Sequence, residues 1–276
     1  MKVIYGIILS FFSALISGQN KIFTYEYTFV PDSTAAESKL SEIMILNAGK
    51  DKSEYYSQQG MKIDSVLLSN RKKGNFEPYT GPAPAVSDRI IKYYSDKTLD
   101  HLTTIGSTRY LIEDNREPVW KLLPGFKEIL GLKVLKATTS LAGREWIAWF
   151  SNDIPLQDGP YKFRGLPGLI IQIEDSRHQH SFVLRGIRNT AEDFIYPEIR
   201  PYKTLPRLTY PQYVKVYQKY REDPLAEFHT DKFRIPDQAD QSGNIKSGQQ
   251  ILREMEIKEK ERLRKDNNII EKDLLK

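Results

Sequence analysis

The sequence predicts a mainly β protein, an antiparallel sheet with a few helices. Three observations carry that expectation. Residues 21–30, KIFTYEYTFV, alternate between faces and are rich in aromatic and β-branched side chains, and they stop at Pro31-Asp32. From residue 88 to 150 short apolar runs recur between turns, with no helix-length connections of the kind that parallel strands need. Past residue 190 the pattern changes to proline-punctuated extended chain and then to helical spacing.

Element by element, strands are expected at 21–30, 40–47 and 53–58 as an opening meander, with a short helix over 61–69 before the Gly74 turn. The TGPAP stretch at 80–84 reads as loop, because its two prolines suit neither a helix interior nor a central strand. Further strands are expected at 89–94, 99–104, 108–112, 119–122, 132–140 and 144–150, with Gly143 turning the chain between the last two. Tyr213, Val216, Tyr217 and Tyr220 recur at helical spacing behind Pro211, which suits a first turn, so a helix is expected over 211–221. Residues 237–248 read as polar linker. Residues 249–265 read as a charged helix with Glu254/Lys258, Glu256/Lys260 and Glu261/Lys265 four apart and a thin apolar stripe of Leu252 and Met255.

Lys2, an apolar run from Val3 to Ile16 and the small-residue exit Ser17-Gly18-Gln19 have the pattern of a secretory signal peptide. The run is too short for a bilayer span, and no later stretch is apolar enough to make one. The expected organisation is a signal peptide at 1–19, a β-rich domain at 20–236, and a linker with its charged helix at 237–276. The chain has no cysteine. That excludes a lipid anchor at the cleavage site, disulfides and thiolate chemistry, so the fold must rest on its core. A periplasmic or secreted, unlipidated protein is therefore expected.

The formal charge of +5 is mild, and much of it lies in mixed-sign runs. Arg71-Lys72-Lys73 reads as exposed loop charge, and no nucleic-acid partner is expected. In 159–182, GPYKFRGLPGLIIQIEDSRHQHSF, the glycines lead into β-branched residues, not into the Gly-Lys-Ser/Thr and helix of a phosphate loop. Pro167-Gly168 suits the centre of a type II turn, with Leu166 and Leu169 packing inward. His178 and His180 share a face if extended and are weak metal candidates, more simply read as a polar hairpin tip; no cofactor is expected. Asp153 and Asp158 bracket a loop in a chain of 36 acidic residues, and a turn-forming role is the simpler reading. No Gly-x-Ser-x-Gly elbow is present.

KATT at 136–139, GREW at 143–146, AWF at 148–150, DIP at 153–155 and GPYKFRGLPGLI at 159–170 resemble the successive motifs of the GLPGLI family, envelope or secreted proteins of Bacteroidota. The resemblance is dense between 118 and 188. NNIIE at 267–271 resembles that family's Asn-Asn-Pro-Ile-Glu-Leu tail, with Ile269 in place of proline and Lys272 in place of leucine. The family implies no reaction and no catalytic residue. A weaker similarity, to the bowl-like N-terminal domain of some secreted peptide-N-glycosidases, implies that the sheet is curved into an open barrel or bowl.

The remaining feature is aromatic. In a strand over 144–150, Arg144, Trp146 and Ala148 share one face and Ile147 and Trp149 the other. An arginine beside tryptophans suits an anionic or planar ligand, so Arg144, Trp146 and Trp149 are the candidate ligand residues. The functional expectation is a non-catalytic envelope module that binds a small molecule, a glycan or an envelope protein in the concavity of its sheet. The alternatives are a hydrolase using Asp153, Asp158 or a metal on His178 and His180, and an interaction protein acting through its C-terminal helix.

Overall fold

The computed structural model describes residues 20–229, 235–239, 243 and 245–276, so the expected signal peptide lies outside the described residues. The first six strands are β1 (Asn20–Phe29), β2 (Leu40–Ala48), β3 (Lys52–Ser57), β4 (Arg89–Tyr93), β5 (Leu99–Ile105) and β6 (Thr108–Glu113). Five more follow: β7 (Lys121–Ile129), β8 (Leu132–Leu141), β9 (Arg144–Ser151), β10 (Leu169–Asp175) and β11 (His180–Thr190). Each neighbouring pair is antiparallel. The short β12 (Arg207–Thr209) then joins the edge at β6 in parallel. The sheet order is β12-β6-β5-β4-β3-β2-β1-β11-β10-β9-β8-β7. Two meanders are thus fused where β11 returns to pair with β1.

Strand spacing shows why this sheet must curl. Ten strand-to-strand steps separate β6 from β7, roughly 48 Å if the sheet were flat. The chain joins them with Glu113 to Lys121, which spans roughly 28 Å at full extension. The sheet is accordingly curved, and it is not closed, because β6 and β7 do not pair. Curvature also brings distant strands together. His101 of β5 meets the Tyr161 ring edge-on, and Tyr55 of β3 meets Phe182 of β11.

Phe23, Tyr25 and Tyr27 alternate onto the concave face with Trp146, Ala148, Phe150, Phe182 and Leu184, and together they form the main core. Helix α1 (Gln58–Lys72) covers part of the opposite face. It begins directly after β3, where the Ser57 side chain accepts from the Gly60 backbone N–H. That cap, with Gly60 in the first turn, hides its start, and the helix is longer than the sequence spacing predicts. Strand β7 is also longer than expected. Pro124 and Gly125 fall in a bulge between Leu123 and Phe126 on an edge strand, where a missing N–H is tolerated.

The GLPGLI segment does enter a buried strand, but not through a type II turn. Leu169 N–H donates to Ile154 O instead of closing onto Leu166, and the Leu166 carbonyl accepts from Gly168 N–H at 2.7 Å, a tighter turn. Gly168 is required by space: a Cβ there would lie 2.1 Å from Ser151 O.

Helix α2 (Tyr210–Glu222) starts at a Thr209/Gln212 capping box, and α3 (Gly248–Lys265) at a Ser247/Gln250 box. Two of the expected ion pairs form on α3, Glu256–Lys260 at 2.6 Å and Glu261–Lys265 at 3.1 Å, whereas Glu254 pairs with Lys246. The apolar stripe lies elsewhere than expected: Met255 is exposed, and Leu263 is the residue that buries. The chain after α3 packs into the sheet, with Asn268, Glu271 and Leu274 all buried. Among the described residues no helix is long and apolar enough to cross a membrane.

Candidate functional site

The concave face holds a cavity of about 470 Å³ between the sheet and a roof of α2, α3 and residues 266–270. Its floor is aromatic. Tyr27 and Phe29, two apart in β1, stack at 4.8 Å, and Tyr27 stacks on Phe182 of β11 at 4.1 Å. Tyr55 of β3 stands in the wall, only 1 % exposed, and its hydroxyl has no partner among the described residues. Tyr217 and Tyr220 come down from α2.

Asp88, just ahead of β4, is the acidic group on the sheet side. It lies deep in the molecule, yet 25 % of its side chain is open, because it borders the cavity. His101 Nε2 approaches its Oδ1 at 3.2 Å, a close contact and not a well-aligned hydrogen bond. Burial alone would raise its pKa; the His101 and Thr103 contacts outweigh burial and hold the carboxyl below its ordinary range.

His180 borders the same cavity, and its ring is fully used. Nε2 donates to the Asn268 carbonyl at 2.8 Å, so Nδ1 accepts from the Tyr27 hydroxyl at 2.7 Å. Burial, helped by the positive charge of Arg144, pushes its pKa down to about 4. The unfolded chain therefore takes up this proton more readily, and stability falls as pH drops from 6.5 to about 4. Urea midpoints between pH 7.5 and 4.5 should show a loss of roughly 2.5 kcal/mol from this group, with a flatter profile in His180→Gln.

The sequence candidates fall into different environments. Arg144 points into the concave core and not into open space. Its guanidinium donates to Asp175 Oδ2 at 3.0 Å, to Asn268 Oδ1 at 2.7 Å and to the carbonyls of Asn268, Ile269 and Ile270. Trp146 is 1 % exposed, with Nε1 donating to Leu141 O at 3.0 Å. Trp149 is on the other face, under Lys127 at 4.2 Å and Lys136 at 5.6 Å. The facing inferred from alternation holds, but Arg144 and Trp146 are occupied by the chain itself.

His178 and His180 do not face one ligand. His178 has φ +56° in the turn between β10 and β11, which breaks the extended geometry, and its side chain is 70 % exposed beside Glu174. Asp175 is buried and accepts from Arg144 and from the backbone of Gln179 and His180. Asp153 is exposed, whereas Asp158 is buried against Lys92, with hydroxyls from Ser53 at 2.5 Å and Tyr94 at 3.1 Å. Burial lowers the Lys92 pKa against the pull of Asp158. Among the described residues no group of three His, Asp or Glu side chains is arranged to hold a metal ion.

A family model described as a protein of unknown function, Porph_ging, matches residues 133–172. The match covers β8, β9, the loop after β9 and the start of β10, and it includes the GLPGLI hexapeptide. No curated protein matches. Solved structures of PNGF-II are similar in fold. In space group P21 the TM-score is 0.50 at 16% identity, covering 74% of this chain and 34% of that one. In space group C2 the TM-score is 0.49 at 16% identity, covering 74% and 33%. The chain thus spans about a third of the length of PNGF-II, and the likeness is one of fold.

Sequence reasoning missed Tyr27, Tyr55, Asp88 and Asp266 as site residues. The alternation of β1 and the tyrosine spacing of α2 were visible signals for the aromatic part. Nothing local pairs Asp88 with Asp266, which α3 delivers from 178 residues away.

Proposed function

We propose that this is an exported, non-catalytic envelope module of the GLPGLI type that binds a small molecule in the concavity of its sheet. The observation that carries this reading is the aromatic cavity of about 470 Å³, with the unpartnered Tyr55 hydroxyl in its wall. That volume is within the range of small-molecule sites, and mostly apolar walls with a few polar groups are what such sites use. Export rests on the n-region and h-region at residues 2–19 and on the absence of cysteine.

Ser87 offers the test of the cavity, since it is an exposed loop residue on the lining. In a ligand-observed NMR fragment screen, hits should bind the parent chain and lose binding to Ser87→Trp, which fills the space. Hits indifferent to that substitution would place binding elsewhere and end this reading. Mass spectrometry of the protein from its host should find an N-terminus near Gln19; an intact Met1 in cytosol would remove the export claim.

A further inference from the structure

Building on that reading of the cavity, we infer that its ligand is an organic cation, an amine or quaternary ammonium carried on a small apolar skeleton. The charged groups on the lining are Asp88, Glu259, Arg262 and Asp266. Arg262 is already committed. Its Nε and Nη2 donate to the two Glu259 oxygens at 2.9 and 2.7 Å, and Nη2 also donates to the Tyr220 hydroxyl at 3.1 Å. That pair neutralises itself, which leaves the two aspartates.

Asp88 has His101 and Thr103 beside it, with the charge of Lys162 farther off. Asp266, the cap residue of α3, has no hydrogen bond or ion pair to its carboxylate among the described residues; only the more distant fields of Arg262 and Arg221 reach it. Burial outweighs those two fields and raises its pKa. The Arg221 guanidinium is spent on the backbone carbonyls of Leu263 and Asp266. Both aspartates line the same cavity, Asp88 from the sheet side and Asp266 from the roof.

The walls between these charges are ring faces, and a cation gains from the negative face of an aromatic ring most where water is excluded. An anion would meet two carboxylates and a ring quadrupole of the same sign. A neutral ligand would shut water out and leave Asp266 uncompensated. A cation is the ligand charge that answers both acidic groups and the rings.

The test is isothermal titration of the full chain with three probes of similar size: benzyltrimethylammonium, benzyl alcohol and benzoate. The expected result is that the cation binds at least tenfold more tightly than the alcohol and that benzoate does not bind. Asp266→Asn should weaken the cation about tenfold with the alcohol unchanged, and Ser87→Trp should abolish both. Asp88→Asn is the second variant, and a melting temperature close to the parent's qualifies either one. If the alcohol binds as tightly as the cation and is lost in Ser87→Trp, the cation inference falls and the cavity reading stands. If all three probes fail while the fragment screen finds Ser87→Trp-sensitive hits, the cation inference alone falls; if that screen fails as well, both do.

Discussion

Glu271→Ala is expected to destabilise the protein by roughly 3–5 kcal/mol, the cost of removing one partner from a buried ionic cluster. Glu271 accepts from the Tyr161 hydroxyl at 2.5 Å, from Arg116 at 2.7 Å and from Lys162, and the lysine also reaches Asp114 at 2.8 Å. Burial opposes ionisation of Glu271, but Lys162, His101 and Arg116 outweigh it and bring its pKa down to about 2. The carboxylate therefore contributes stability above its unfolded value of 4.5, and that contribution is lost as pH falls through 4.5 towards 2. Removing the side chain leaves the buried Lys162 ammonium with one acidic neighbour instead of two. Urea unfolding at pH 7 measures the loss. A change below 1 kcal/mol would mean that the cluster is solvated and that the tail is not anchored there.

Arg144→Met is expected to cost a similar amount, roughly 3–5 kcal/mol, with a different signature. The substitution keeps most of the side-chain volume, so the loss is of charge and hydrogen bonds. Asp175 keeps its two backbone donors but loses its counter-ion in a buried site. The tail loses four acceptor contacts, to Asn268 Oδ1 and three successive carbonyls. Besides the lower urea midpoint, residues 266–276 should become sensitive to limited proteolysis while the sheet stays resistant. If stability fell with no new cleavage in the tail, Arg144 would be a core ion-pair partner and not the clamp of the tail.

Both substitutions act on the segment 267–271, and the sequence reached that segment only through its likeness to a family tail. Asn267, Asn268, Ile269, Ile270 and Glu271 have no periodicity that a helix or strand would impose. Each is placed by a partner far away in the chain: Asn267 by Asp32, Asn268 by Val30 and Arg144, Glu271 by Lys162. Ile269, which replaces a proline of the resembling tail, packs beside Tyr213 and Leu274.

The sequence by itself determined the β class, most strand positions and which side chains of β9 share a face. Those follow from the two-residue repeat of an extended chain, a local rule that needs only neighbours. Local spacing also located α2 and α3. It did not determine what the inward side chains touch. Arg144 and Trp146 look like ligand residues in a strand, and only the curl of the sheet and the returning tail turn them into clamp and core. The tertiary structure alone decided the cavity, because its walls come from β1, β3, β11, α2 and α3 and meet only once β11 pairs with β1. Long-range pairing of this kind depends on the summed burial of many strands, and no short stretch of sequence encodes it.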